Sequence, residues 1–101
     1  MFKLFGFGSS VDYKALVENG AIILDVRSKG EYAQGHVEGS INVPVEVLHN
    51  HLNRFKDKNK TIITCCASGM RSGSAKRMLI SQGYTNVHNG GSWYKLEGKL
   101  A

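Results

Sequence analysis

The stretch Thr61-Ile62-Ile63-Thr64-Cys65-Cys66-Ala67-Ser68-Gly69-Met70-Arg71-Ser72 decides the fold. Its first five residues are β-branched or small and apolar, the pattern of a strand buried on both faces. Small residues and a glycine follow. From Ser72 to Gln82, Ala75, Met78 and Leu79 form the inner face of a helix that Gly83 stops. Working outward, Ala21-Ile22-Ile23-Leu24-Asp25-Val26 reads as a second buried strand. Ile41-Asn42-Val43, ended by Pro44, and Asn86-Val87-His88 read as two more. Val45, Leu48, Leu52 and Phe55 follow helical spacing between them, and Trp93 to Leu96 reads as a last helical turn. A short helix opens the order, with Leu16 and Val17 on its apolar face and Gly20 at its end. Ser9 or Ser10 is its expected cap, Asp12 closing a capping box from Ser9. Strands alternating with helices predict an α/β domain whose parallel sheet is covered on both faces. In such sheets ligands bind beyond the carboxyl ends of the strands, which points to the loop after Cys65.

The 101 residues amount to one domain, with 1–9 as an N-terminal extension and 10–101 as the folded unit. A composition of 42% hydrophobic and 21% charged residues excludes wholesale disorder. The two adjacent cysteines exclude a disulfide framework and a four-cysteine zinc site. His49 and His51, two apart, face different ways on a helix, and His88 stands alone, so no metal site is expected. An unbridged thiol pair suits the reducing cytoplasm. The apolar opening, Met1 to Gly8, is too short for a signal peptide's apolar region, and no run approaches the ~20 residues that span a bilayer. The expected location is therefore cytoplasmic, away from membranes. Phe2, Leu4, Phe5 and Phe7 are expected to dock on the domain or on a partner. The net charge of +5 comes from basic residues scattered from Lys3 to Lys99. Their densest cluster, Arg54, Lys56, Lys58 and Lys60, is broken by Asp57 and reads as a solvated loop rather than a nucleic-acid surface. The field favours a small anionic substrate.

After the strand, the loop Cys66-Ala67-Ser68-Gly69-Met70-Arg71 is small enough to turn its backbone N–H groups inward as a nest for an anion. The helix that follows adds the positive end of its dipole. A thiol held there ionises readily, and the thiolate is the reactive form. Cys65 continues the strand and is expected to pack in the core, whereas Cys66 sits where side chains leave it. Two chemistries fit. Counted from Cys65, five residues precede Arg71, the spacing of cysteine phosphatases, which also need a general acid. None of Asp12, Asp25 or Asp57 fills that role convincingly. Counted from Cys66, the tighter six-residue loop suits one sulfur atom carried on the cysteine, and this count is preferred.

The chain resembles the single-domain rhodaneses, a sulfurtransferase family. The likeness runs through Leu24-Asp25-Val26-Arg27-Ser28, Glu31-Tyr32 and Gly35-His36-Val37-Glu38-Gly39-Ser40-Ile41-Asn42-Val43-Pro44. It continues through Cys66-Ala67-Ser68-Gly69-Met70-Arg71-Ser72 and closes with Gly83-Tyr84, Val87, Gly90-Gly91 and Trp93. It implies a parallel, about five-stranded sheet flanked by helices, with Cys66 as nucleophile. Such enzymes take the outer sulfur of a donor such as thiosulfate as a persulfide. They pass it to cyanide or a thiol, protein thiols included, and need no metal or organic cofactor. On this resemblance the amides from Ala67 through Ser68, Gly69, Met70 and Arg71 to Ser72 stabilise the persulfide, and Arg71 holds the donor anion or braces the loop. Asp25 and Arg27 are expected to tie loops together, His36 to orient a turn, Trp93 to pack near the site, and Gly90-Gly91 to form a tight turn. Ala67 departs from the family, which often carries a basic residue there; Met70 stands at an often polar position, and Cys65 at an often aromatic or aliphatic one. The alternatives are phosphatase or arsenate-reductase-like chemistry from Cys65, and a non-catalytic interaction module.

Overall fold

Strands without a polar face must be covered on both sides, and β1 (Ile22–Asp25) and β3 (Ile62–Cys66) lie in the middle of the sheet. A computed structural model describes residues 11–101; the expected caps Ser9 and Ser10 and the apolar residues from Phe2 to Phe7 lie outside the described residues. The four described strands are all parallel in the order β2-β1-β3-β4, with β2 (Ile41–Asn42) and β4 (Val87–Ser92) outermost. The helices are α1 (Tyr13–Glu18), α2 (Lys29–Gln34), α3 (Met70–Ser81) and α4 (Trp93–Leu100).

Alternation along the strands divides the core in two. On one face Leu24, Val26, Ile62 and Cys66 pack with Ala75 and Leu79 of α3 and with Leu48, Phe55 and Tyr84. On the other, Ile23, Ile63 and Cys65 meet Leu96, Trp93 and Leu100 of α4 and Leu16 and Val17 of α1. Each fully buried leucine contributes roughly 1.5–3 kcal/mol, so two small cores suffice without cross-links.

Several local elements differ from the expectation. Asp12 itself caps α1, its carboxylate accepting the Ala15 N–H at 3.0 Å. The helix α2 is absent from the sequence reading because none of its residues is buried, so it has no apolar periodicity. Its signature is a capping box: Ser28 Oγ accepts the Glu31 N–H at 3.2 Å, and Glu31 Oε1 accepts the Ser28 N–H at 3.0 Å. The segment after Pro44 forms two 3₁₀ pieces, Val45–Asn50 and Leu52–Arg54, rather than one α-helix. The three-residue intervals Val45–Leu48 and Leu52–Phe55 match three residues per turn. The helix α3 starts at Met70, two residues before Ser72.

Gly90 and Gly91 do not make a connecting turn; they lie within β4. Thr64 pairs with Asn89 while Cys66 pairs with Ser92, so β4 carries one extra residue against β3, a bulge. A Cβ on Gly90 would sit 2.8 Å from Ile63 Cγ2 and 2.9 Å from the Thr64 carbonyl oxygen, which only glycine avoids.

Candidate active site

The strand β3 ends at Cys66, and the chain must turn at once to start α3 on the next layer. Gly69 makes that turn at φ +104°, a left-handed conformation at the helix cap that favours glycine. The turn brings backbone donors onto the Cys66 sulfur. Sγ accepts the Gly69 N–H at 3.0 Å and the Ser72 N–H at 3.4 Å, and its thiol donates to Ser72 Oγ at 3.4 Å. Of the amides from Ala67 to Ser72, these two make the close bonds, and the Ser68 amide adds a weaker one. Ala67, Ser68 and Met70 are exposed on the outer side of the loop, Met70 to 81%.

Burial pushes the Cys66 thiol up, but the Ser72 hydroxyl and the amides of Ser72, Gly69 and Ser68 outweigh it. The thiol lies below the ordinary cysteine value. Cys65, one residue earlier, points into the opposite core. Burial and the neighbouring Asp25 carboxylate push its thiol up to about 12. Both cysteines are free thiols.

Asn89 holds the loop from β4. Its Nδ2 donates to the Gly69 carbonyl at 3.1 Å, and its Oδ1 accepts from Ser72 Oγ at 2.7 Å and from the Gly91 N–H at 3.0 Å. The bulge at Gly90-Gly91 supplies that last donor. Thr64 Oγ1 donates to the Ser72 carbonyl at 2.9 Å, fixing the start of α3 from the strand. The sequence carries no local pattern that marks Asn89 or Thr64 as site residues, beyond the strand-end position of Asn89.

Arg71 grips Glu31 of α2 with two bonds, Nη1–Oε1 2.7 Å and Nη2–Oε2 3.0 Å. The Arg71 guanidinium, with lesser help from the Ser28 amide and hydroxyl, holds the Glu31 carboxyl down to about 2. Asp25 and Arg27 form a buried pair beside the site: Nη2–Oδ2 2.7 Å and Nε–Oδ1 3.0 Å. Arg27 Nη2 also donates to the Gly35 carbonyl at 2.7 Å, tying the β1 end to the turn after α2, and its guanidinium lies 4.8 Å over the Trp93 ring. His36 stacks on Tyr32 at 3.7 Å and is 2.7 Å from the Tyr32 carbonyl through Nδ1, away from Cys66.

Two recesses flank the loop. One of about 340 Å³ lies on the Ala67 side, lined by Arg27, Glu31, Gln34, Gly35 and Trp93. The other, about 450 Å³, lies on the α3 side, lined by Gly69, Met70, Arg71, Gly73, Ser74, Arg77 and Asn89. Among the described residues no three His, Cys, Asp or Glu side chains gather as a metal site, and no helix is long and apolar enough to cross a membrane.

The family model of the rhodanese-like domain matches residues 9–96. The thiosulfate sulfurtransferase PspE of Escherichia coli (strain K12) is 44% identical over 69 residues, covering 67% of this chain and 66% of that protein. The thiosulfate sulfurtransferase GlpE of Pseudomonas fluorescens (strain SBW25) is 34% identical over 76 residues, covering 75% and 69%. The chain thus spans about two thirds of the length of these relatives. Among solved structures, a rhodanese with anions from E. coli superposes with a TM-score of 0.69 at 38% identity, over 74% of this chain and 89% of that one.

Proposed function

From the premise that the chain belongs to the rhodanese-like domain family, we propose that it is a thiosulfate sulfurtransferase working through a persulfide on Cys66. The observation that carries this reading is the Cys66 sulfur, ringed by the Gly69 and Ser72 donors and lowered in pKa. The Cys66 thiolate attacks the outer sulfur of thiosulfate; the sulfur–sulfur bond breaks and its electron pair leaves on sulfite. The cysteine is left as Cys66–S–S⁻. The cradle donors that stabilise the thiolate sit where they also face the persulfide charge. An acceptor thiol or cyanide then takes the outer sulfur, and Cys66 departs as a thiolate; a protein thiol is a further acceptor. The side chains of Asp25, Arg27 and Arg71 serve by holding the loop and its neighbours in place. No cofactor enters the cycle. We place the reaction in the cytoplasm, whose reducing poise suits two free thiols.

The geometry weighs against phosphatase chemistry from Cys65. That thiol is buried in the opposite core and raised to about 12. Asp25 is locked to Arg27, Asp12 caps α1, and Asp57 accepts the Asn59 N–H, so none is offered as a general acid. The test is intact mass after thiosulfate treatment. Wild type and Cys65→Ala gain one sulfur atom, and Cys66→Ala gains none. An adduct retained in Cys66→Ala overturns the assignment.

A further inference from the structure

Positive charge is abundant in this chain, yet at the mouth of the sulfur loop most of it is already neutralised. On the Ala67 side, Arg27 is bound to Asp25. The recess there is lined by Arg27, Glu31, Gln34 and Trp93, and its one cation, Arg27, is already paired. The α3 side is different. No acidic side chain lines it, and of its two cations Arg71 is held by Glu31 whereas Arg77 reaches only Ser74 Oγ, at 3.1 Å, with no carboxylate at ion-pair distance among the described residues.

The shape of this second recess suits a ligand larger than thiosulfate. Its roughly 450 Å³ falls within the range of small-molecule sites, about 300–1,000 Å³. Gly73 keeps it open, since a Cβ there would approach Asn89 Nδ2 to 3.3 Å and Arg77 Nη1 to 3.7 Å. Met70, exposed to 81%, provides an apolar lip. The inner wall is Gly69, whose amide is 3.0 Å from the Cys66 sulfur. A molecule seated here would share the Gly69 wall with the sulfur to be transferred.

We propose that this recess is the acceptor site and that it selects small organic thiols bearing a carboxylate, which Arg77 binds. The assignment rests on the sulfur-transfer reading above. In the step it serves, the sulfur of the acceptor R–SH bonds to the outer persulfide sulfur, and the acceptor's proton passes to that outer sulfur. The bond between Cys66 Sγ and that sulfur breaks with its electrons on Sγ: Cys66–S–S⁻ + R–SH gives Cys66–S⁻ + R–S–SH. Arg77 does not touch the reacting atoms; it orients the carboxylate end, so its effect appears in acceptor choice.

The experiment compares two acceptors that differ by one charge, N-acetylcysteine and its primary amide, at saturating thiosulfate. The readout is the ratio of their kcat/KM values. Arg77→Gln lowers the ratio about fivefold, the scale of an exposed ion pair. Arg77→Lys retains most of it. Lys76→Gln removes the same charge from the same helix without lining the recess, and leaves the ratio where it was. A ratio unmoved by Arg77→Gln, or lowered equally by Lys76→Gln, overturns the assignment. Intact mass before acceptor is added separates the two levels: a wild type that never gains sulfur overturns the persulfide reading, and this inference with it. A loaded wild type with an unmoved ratio overturns the acceptor site alone.

Discussion

Replacing Ser72 by alanine is the sharpest probe of how the loop activates its sulfur. The change deletes the hydroxyl 3.4 Å from Cys66 Sγ and little else. The Ser72 amide stays at 3.4 Å and the Gly69 amide at 3.0 Å. Asn89 Oδ1 loses the Ser72 hydroxyl but keeps the Gly91 N–H at 3.0 Å, so no buried acceptor is orphaned. Thr64 still holds the Ser72 carbonyl, and alanine is at home in α3. A hydrogen bond to a charged partner contributes about 1.5–3 kcal/mol, and a pKa unit corresponds to about 1.36 kcal/mol. Because the hydroxyl must leave Asn89 to serve the thiolate, the lower end applies, a rise of about one unit. Iodoacetamide alkylation followed against pH reads this directly. Cys65, pushed up to about 12, stays silent over the working range. The midpoint for Cys66 moves up by about one unit and thiosulfate loading at neutral pH slows with it. A midpoint that stays put or falls would refute the reasoning, because the hydroxyl would then not be favouring the thiolate.

Two further changes test the frame around the loop. Glu31→Gln removes the carboxylate that braces Arg71. The Glu31 carboxyl sits at about 2 when folded, below its ordinary 4.5, so its stabilisation is present above that ordinary value and is lost as pH falls through the folded one. Both partners are more than a third exposed, so the gap at pH 6 is at most about 1 kcal/mol. Urea midpoints that differ at pH 6 and converge towards pH 2 match this account; a gap persisting in acid contradicts it. Gly90→Ala forces a Cβ to within 2.9 Å of the Thr64 carbonyl oxygen, which belongs to the central strand and cannot step aside. Thermal melts lose the equivalent of about 1–3 kcal/mol. Gly30→Ala in α2, with nothing within 4 Å, gains about 0.5–1 kcal/mol instead. Equal melting temperatures for the two variants would remove the steric argument for the bulge.

How much of this could be read from sequence depended on whether a residue's role leaves a local pattern. The buried strands Ile22–Asp25 and Ile62–Cys66 announce themselves as continuous apolar runs, and the parallel sheet follows from their alternation with helices. The amide cradle is legible as small residues before a helix. By contrast, α2 buries nothing, so only its Ser28–Glu31 capping box betrays it, and that four-residue pattern is easily passed over beside the louder motif around it. Glu31 and Asn89 were invisible as site residues for a different reason. Glu31 reaches Arg71 across 40 positions, and Asn89 meets Ser72 across 17. Such partnerships are made by sheet order and by an extra residue in β4, and neither is written in any window of the chain.

The adjacent cysteines join these levels. A strand sends neighbouring side chains to opposite faces, so Cys65 and Cys66 were bound to meet different surroundings wherever β3 placed them. Had β3 ended one residue earlier, Cys65 would sit at the turn and Cys66 would begin the loop without the register that now aligns Sγ with the Gly69 and Ser72 donors. The bulge in β4 belongs to the same construction. By advancing β4 one residue against β3, it brings Ser92 opposite Cys66 and leaves Gly91 free to donate to Asn89, which in turn holds both Gly69 and Ser72. Two thiols identical in sequence terms therefore separate into one raised to about 12 and one lowered below its ordinary value, because strand register gives Cys65 burial beside the Asp25 carboxylate and gives Cys66 the Ser72 and Gly69 donors.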